Sequence, residues 1–402
     1  DIPKPNYDDI VSFVFPFLLQ KIVEVKEEYS SDIDLCLQVL GSFLKVNSSY
    51  QIPGEIFYNT FSVINKFILV CQDDELIQSS TEALIELVRH SPELCSKFID
   101  PETKETGIQI LLRNTAKLLS PDMSDRAIVK LGDLVNLLIT NFNQSIGSYL
   151  DEILRALTVR LVHATEVPTI ENMILIFNAL TISQPSSTIN FLKSFMIDGK
   201  PALVKVLPLW FQAYEVMRGY DSILSNVRAF IEIYKLNDRD IKGIVVDGDP
   251  LPQQVPDGII VTRSIAKRMS IKYKQIPADA KIVSLLLEEL KNEITAGDHG
   301  AAVGHIRDVD NDNDYDDDDD DDDGWEDVED LGRQTLDQLK DYVEEQKSLK
   351  RDRVGNNDDM KELLISFFKE CTVQNTSNFE DIYNQFMSDN QRKLLSEYLL
   401  FA

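Results

Sequence analysis

Positive charge is scarce in this chain. Lys and Arg number 40 against 68 Asp and Glu, a formal net charge of −28 over 402 residues. Direct binding to DNA or RNA phosphates needs a basic footprint, and none is present. Cysteine is scarce too: Cys36, Cys71, Cys95 and Cys371 are scattered, with no CxxC pair. That excludes a disulfide framework and reads as reduced, mostly buried thiols of an intracellular protein. Long apolar runs are missing. Residues 11–19 are interrupted by Ser12 and Pro16, and residues 203–211 by Lys205 and Pro208, so no membrane span is expected. The chain opens at Asp1 without Met or a signal-peptide layout and reads as a fragment of something longer.

Catalytic chemistry is equally thin. There is no GxGxxG, GxxxxGK, GxSxG or HExxH. His90 and His163 fall near expected helix ends, where capping or packing suits them, and His299 and His305 are two isolated imidazoles, too few for a zinc site. No thiol is placed near a base for Cys–His catalysis. The chain reads as a non-enzyme without a cofactor. Asp310, Asp312 and Asp314 have the first three spacings of a calcium loop, but Tyr315 stands where that loop needs Gly and Asp321 where it needs Glu, so no metal site is expected.

What is abundant is carboxylate in one place. Residues 308–330, DVDNDNDYDDDDDDDDGWEDVED, hold sixteen acidic side chains and no Lys or Arg. Setting these aside leaves 52 acidic against 40 basic residues, so the rest of the chain is only mildly acidic. Such a stretch cannot bury apolar area to offset chain entropy, and its charges repel, so a solvated loop is expected over 296–332. Eight aspartates, extended at about 3.3 Å per residue, span roughly 26 Å. DNA carries a charge per about 1.7 Å of axis, so this loop is a sparser, flexible polyanion suited to a nucleic-acid-binding surface. The candidate partner-binding residues are Asp316, Asp317, Asp318, Asp319, Asp320, Asp321, Asp322 and Asp323, followed by Trp325, Glu326 and Asp327. Trp325 can fill a partner's pocket or accept a cation–π contact there, or pack back on its own scaffold. Two readings stand at this point: capture of a basic protein, or a solubilising spacer.

Residues 8–236 are a train of helix-period segments. Apolar residues recur at three- and four-residue spacing over 10–25, 33–46, 55–70, 76–88, 108–119, 127–139, 146–162, 170–182, 202–217 and 223–236. Pro53, Asp125, Pro201 and Asp221 read as helix openers. Three segments repeat one another. Asp34, Asp74 and Asp125 are each followed by an apolar residue at +3 (Leu37, Ile77, Ile128), a small one at +7 (Gly41, Thr81, Gly132) and an apolar one at +10 (Leu44, Leu84, Val135). The aspartate suits the positive helix end, and the small residue permits a close helix neighbour. Offsets of 40 and 51 residues roughly match the period of two-helix HEAT or armadillo units with variable loops. The expected fold is therefore all-α, a HEAT-repeat α-solenoid.

At residue 237 the texture changes. Residues 237–276 read as a turn-rich insertion with two extended-looking runs, 243–247 (GIVVD) and 258–262 (GIIVT), around Pro250, Pro252 and Pro256. They form either a small hairpin or an ordered link. A basic run follows (Arg263, Lys267, Arg268, Lys272, Lys274), either a solvated face or an internal partner for the acidic loop. A repeat helix is expected over 277–295, opened by Pro277. Capping helices are expected over 333–402, near 335–349, 358–371 and 377–400, the last interrupted around Asp389 and Asn390.

The order of these features resembles a known family. TRS at 262–264, IP at 276–277, KIVSLLLEEL at 281–290, WED at 325–327 after the acidic run and NFEDIYNQFMSDNQRKLL at 378–395 are similar to the C-terminal part of the importin-β (karyopherin-β) family. The resemblance covers 240–402, and the helices before it are compatible. It implies a HEAT superhelix whose concave face wraps basic nuclear cargo, with release linked to Ran-GTP, in a receptor shuttling between cytoplasm and nucleus. It implies core histone dimers or TATA-binding protein as cargo, nucleoporins as further partners, and no direct nucleic acid or membrane contact. It carries cargo and Ran contacts onto the eight aspartates, Trp325, Glu326 and Asp327 only. The principal Ran surface of such proteins lies in their first repeats, which this chain is expected to lack. The competing reading is a HEAT scaffold subunit of a multiprotein complex, its acidic loop a solubilising or histone-chaperone segment.

Overall fold

The computed structural model describes residues 4–24, 30–46, 50–250, 273–302 and 357–401. It is an all-α, HEAT-type helical-repeat fold, and it divides into two compact units, 1–217 and 218–402.

The first unit is built from α1 (Lys4–Glu24), α2 (Ser30–Val46), α3 (Gly54–Val70), α4 (Asp74–His90), α5 (Pro92–Lys97), α6 (Gly107–Leu118), α7 (Leu131–Ile146), α8 (Leu150–His163), α9 (Val167–Ser183), α10 (Pro185–Ser194) and α11 (Ala202–Val216). The α4 sequence shows why these stretches are helical. The Asp73 carboxylate accepts the Leu76 N–H at 3.0 Å, Asp74 and Glu75 occupy the first turn, and Arg89 and His90 occupy the last. Charges thus match the helix dipole at both ends. Its apolar residues Leu76, Ile77, Leu84, Leu87 and Val88 are all buried. In α6 a capping box does the same work, with Thr106 and Gln109 exchanging hydrogen bonds. Pro16 and Pro208 lie inside α1 and α11 and do not end them.

These helices stack in two layers. Hairpin partners are α1 with α2, α3 with α4, α6 with α7, and α8 with α9. One layer runs α1, α3, α6; the other runs α2, α4, α7, α9. Rings fill the spaces between: Tyr7 stacks on Phe43 at 5.2 Å, Phe61 meets Phe98 at 5.0 Å, and Phe177 tilts against Trp210 at 6.5 Å. Each repeat contacts its neighbours, which makes the stack quasi-one-dimensional.

The repeated sequence pattern acquires a physical meaning here. All six apolar members (Leu37, Ile77, Ile128, Leu44, Leu84, Val135) are buried. A Cβ on Gly132 would lie 2.0 Å from the backbone oxygen of Asn172, so α7 and α9 approach where only glycine fits. Gly41 plays a milder version of this part, facing the Ala83 Cα across α2 and α4 at 3.6 Å from where a Cβ would sit. The aspartates behave less uniformly than expected. Asp74 is in a first turn, whereas Asp34 lies past the first turn of α2 and accepts from Gln38 (2.7 Å) and the Ser79 hydroxyl. Asp125 opens no helix: α7 begins at Leu131, and the residues before it form turns.

Two short helices, α5 and α10, carry too few apolar repeats to show as periodicity. The same holds for a tiny ribbon of β1 (Met196–Ile197) and β2 (Lys200–Pro201), too short for any alternation. Its turn is Asp198–Gly199 with φ of 49° and 74°, the Asp–Gly pairing that two-residue hairpins favour.

The second unit contains α12 (Tyr220–Lys235), α13 (Arg239–Gly243), β3 (Val245–Pro250), β4 (Tyr273–Pro277), α14 (Ala278–Ala302), α15 (Asn357–Gln374), a 3₁₀ turn (Thr376–Asn378), α16 (Phe379–Gln385) and α17 (Asp389–Phe401). β3 and β4 pair antiparallel, Val246 opposite Ile276 and Pro250 opposite Tyr273, with an irregularity after Asp247. The first extended run is thus a strand, but its partner is 273–277; residues 258–262 lie outside the described residues, as do Arg263, Lys267, Arg268 and Lys272. Pro277 ends β4, and the Ala278 N–H donates to the Ile244 carbonyl at 2.9 Å as α14 begins. The expected helix over 335–349 is also outside the described residues, and the terminal helical stretch breaks between Gln385 and Asp389.

Candidate functional site

The acidic candidate site, Asp316 to Asp323 with Trp325, Glu326 and Asp327, lies outside the described residues. What the structure describes is the mounting. The residues between α14 and α15 carry the whole acidic run, and those two helices pack against each other.

The mounting is well tied. α14 buries Ala278, Ala280, Ile282, Val283, Leu286, Leu287 and Leu290, and it contacts α12, β3, β4, α15 and α17. α15 buries Met360, Leu364, Phe367, Phe368 and Cys371. Tyr234 of α12 meets Phe367 edge-on at 5.6 Å, and its hydroxyl donates to the Thr376 carbonyl at 3.1 Å. The Ser377 hydroxyl donates back to the Tyr234 carbonyl at 2.6 Å, Lys242 Nζ donates to the Ser377 carbonyl at 3.0 Å, and Lys235 pairs with Glu370 at 2.7 Å. This stitching holds a turn in which Asn375, Ser377 and Asn378 all have positive φ (50°, 55° and 63°), backbone that is costly without such support.

Burial dominates the titration of this mounting. It pushes the Cys371 thiol up to about 12, helped by the Glu370 charge. It raises Tyr234 as well, with Cys371 and Asp279 adding to the shift. The Asp279 carboxyl is raised by burial, opposed by the Ala280 N–H and the Lys242 charge. For each of these groups burial makes the charged form costlier than in water.

In the first unit, polar side chains serve the joints between repeats. Asp125 accepts the backbone N–H of Thr165 (2.6 Å) and Glu166 (3.2 Å), the Thr165 hydroxyl (3.0 Å) and Arg160 (3.0 Å). It thereby caps the start of α9 from forty residues upstream. Burial pulls its pKa up, but the Thr165 and Glu166 donors and Arg160 outweigh this and leave it below the usual range. Lys117 of α6 caps the end of α3, donating to the carbonyls of Ile68 (2.6 Å), Leu69 (3.0 Å) and Cys71 (3.0 Å). Asn114 donates to Asn65 across the same joint. Periodicity could not single out these staples, although the forty-residue offset from Asp125 to Thr165 equals the shorter of the two repeat offsets.

Nothing in the described residues suggests chemistry. His90 lies between the Tyr7 hydroxyl (3.5 Å) and Ser91 Oγ (3.0 Å), and His163 Nδ1 contacts the Val159 carbonyl at 2.8 Å on the last turn of α8. Among the described residues no three His, Cys, Asp or Glu side chains gather to hold a metal, and no helix is long and apolar enough to cross a membrane. The four cysteines are free, Cys95 and Cys371 buried and Cys36 and Cys71 half-buried. A groove of about 270 Å³ runs between α2 and α4, lined by Gln38, Ser42, Lys45, Gln78, Ser79, Glu82 and Glu86. Its charges are answered locally, Glu86 by Arg89 at 2.5 Å and Glu82 by Lys130 at 3.4 Å, so it projects little net field.

The described residues are thus a helical-repeat stack, and the sequence between α14 and α15 holds a concentrated polyanion. Comparison with known proteins identifies which kind. The chain is 31% identical over its whole length to importin subunit beta-5 of Saccharomyces cerevisiae, matching 40% of that protein. It is 23% identical to importin subunit beta-5 of Schizosaccharomyces pombe (97% of this chain, 37% of the relative) and 24% identical to importin-9 of Drosophila melanogaster (64% and 25%). No protein-family model matches the sequence. The chain belongs to the importin-β family, and it spans less than half the length of these relatives.

Proposed function

We propose that this chain is part of a nuclear import receptor that binds and shields basic nuclear cargo. The observation that carries the reading is the match along the whole chain to importin subunit beta-5 of S. cerevisiae. The sixteen carboxylates of 308–330 support the choice of cargo charge. Core histone dimers and TATA-binding protein have the chemistry this polyanion suits, since both present basic, nucleic-acid-binding surface. Trp325 supplies an aromatic anchor beside the charge, flanked by Glu326 and Asp327. In this reading the protein shuttles between cytoplasm and nucleus, Ran-GTP promotes release, nucleoporins are transit partners, and no catalysis is involved.

The test replaces 308–330 by a Gly/Ser linker of equal length and measures binding of a core histone dimer at several salt concentrations. The reading predicts a loss of at least about tenfold in affinity at low salt, with a shallower salt dependence in the variant. Unchanged affinity and unchanged salt dependence would reduce the acidic run to a spacer. Addition of Ran-GTP to the complex tests the release step separately, using the full-length protein.

A further inference from the structure

Buried threonines and asparagines of the first unit follow a common habit. The hydroxyls of Thr60, Thr81, Thr115, Thr158 and Thr188 each donate to the carbonyl one turn earlier, and Thr169 donates to the Asp125 carbonyl. Asn65 donates to the Phe61 carbonyl, and Asn114 donates to Asn65. Asn178 and Thr181 of α9 depart from this. Both are 0% exposed. Neither the amide nitrogen and oxygen of Asn178 nor the hydroxyl of Thr181 meets a hydrogen-bonding group among the described residues. The Ser80 hydroxyl is unmet as well, but it stands alone on α4.

The two departures are neighbours. Three residues apart on one helix, they share a face of α9. Thr181 lies one turn beyond Phe177, whose ring tilts against Trp210 of α11 at 6.5 Å. The pair therefore sits beside the joint between α9 and α11. Ile174 and Phe177, one turn before Asn178 and Thr181, are buried and apolar and offer them no bond.

Burying an amide and a hydroxyl unbonded forfeits the bonds that both make to water in the unfolded chain. A helical threonine has a remedy within reach, the carbonyl one turn back. The Thr181 hydroxyl does not take it and is aimed elsewhere. Neither side chain carries charge, so the pair offers no counter-charge to a buried ion. Asn178 presents two N–H donors and an acceptor, and the Thr181 hydroxyl can play either part. The fitting occupant is small and neutral, and both donates and accepts.

We propose that Asn178 and Thr181 form an internal water site, in which a buried water molecule bridges the Asn178 amide to the Thr181 hydroxyl. Two such polar groups are what a buried water needs to be held. The joint between α9 and α11 is then a wet one, whereas the joint between α3 and α6 closes on the direct bond from Asn114 to Asn65. The inference does not depend on the cargo.

A crystal structure of the full-length protein, at a resolution that shows ordered water, is expected to place a water within about 3.2 Å of Thr181 Oγ1 and of an Asn178 amide atom. No water between them, or direct bonds from these atoms to protein groups, would overturn the site. Variants give an independent reading. Asn178→Leu and Thr181→Val, made singly, each leave the water one partner short, so each should lower the urea midpoint of unfolding. The double variant dismisses the water and should lower the midpoint by less than the two single shifts added together. Were the side chains merely unbonded, apolar replacement would raise the midpoint. A raised midpoint in either single variant, or additive shifts, would overturn the site.

Discussion

Asp125 and the aspartates of 316–323 are the same side chain in opposite circumstances. Asp125 sits among four donors supplied by the start of α9 and by Arg160, and it joins one repeat to the next. The eight aspartates have only like charges beside them in sequence. A carboxylate with donors provided by its own fold stabilises that fold; a run without them stores repulsion that a basic partner relieves. The first kind of acid shapes the stack, and the second kind, in the function proposed above, is what a basic cargo meets.

The largest effect that would break this comparison is steric. Gly132→Val should cost at least about 3 kcal/mol, because its Cβ would meet the Asn172 carbonyl and force α7 away from α9. Denaturant unfolding would show this; a cost under about 1 kcal/mol would mean that the joint is loose. Next comes Asp125→Ala, expected to cost about 1–2 kcal/mol by removing the acceptor that caps α9 and pairs with Arg160. Its pH dependence has a definite sign. Because the folded carboxyl titrates below its unfolded value of 3.8, its contribution is complete above that value and fades as pH falls through the lower folded one. The variant should lack that part of the acid limb in unfolding curves taken between about pH 2 and 6.

The linker replacement of 308–330 should act the other way round. Thermal stability should move by less than about 0.5 kcal/mol, as for surface changes, while histone affinity falls about tenfold. A large stability loss would mean that the acidic run has partners within the fold after all. The smallest effect is expected at Asp279, the acid that burial raises. Ionising it costs folding energy as pH rises through its folded value, so Asp279→Asn should be neutral or stabilising by under about 1 kcal/mol at pH 7. A marked destabilisation would show that its charge is needed against Lys242.

Much of the architecture is readable from periodicity because burial of one helix face forces a three- and four-residue apolar spacing. All ten periodic segments up to residue 236 correspond to helices, and the small residues at Gly41 and Gly132 are where neighbouring helices come close. α5 and α10 are not readable in this way, since six and ten residues with a few buried positions leave too short a record. Asp125 misleads for a related reason: a helix cap and a cross-repeat staple use the same residue type, and only the neighbour decides between them.

Sequence alone determined the helical class, the repeat spacing, the family resemblance and the concentration of charge at 308–330, because each depends on residue order or composition. Tertiary structure decided what those residues meet: the donors around Asp125, the carbonyls under Lys117 and the strand that pairs with β3. Partners distant in the chain leave no local signature, so these could be seen only once the repeats were stacked.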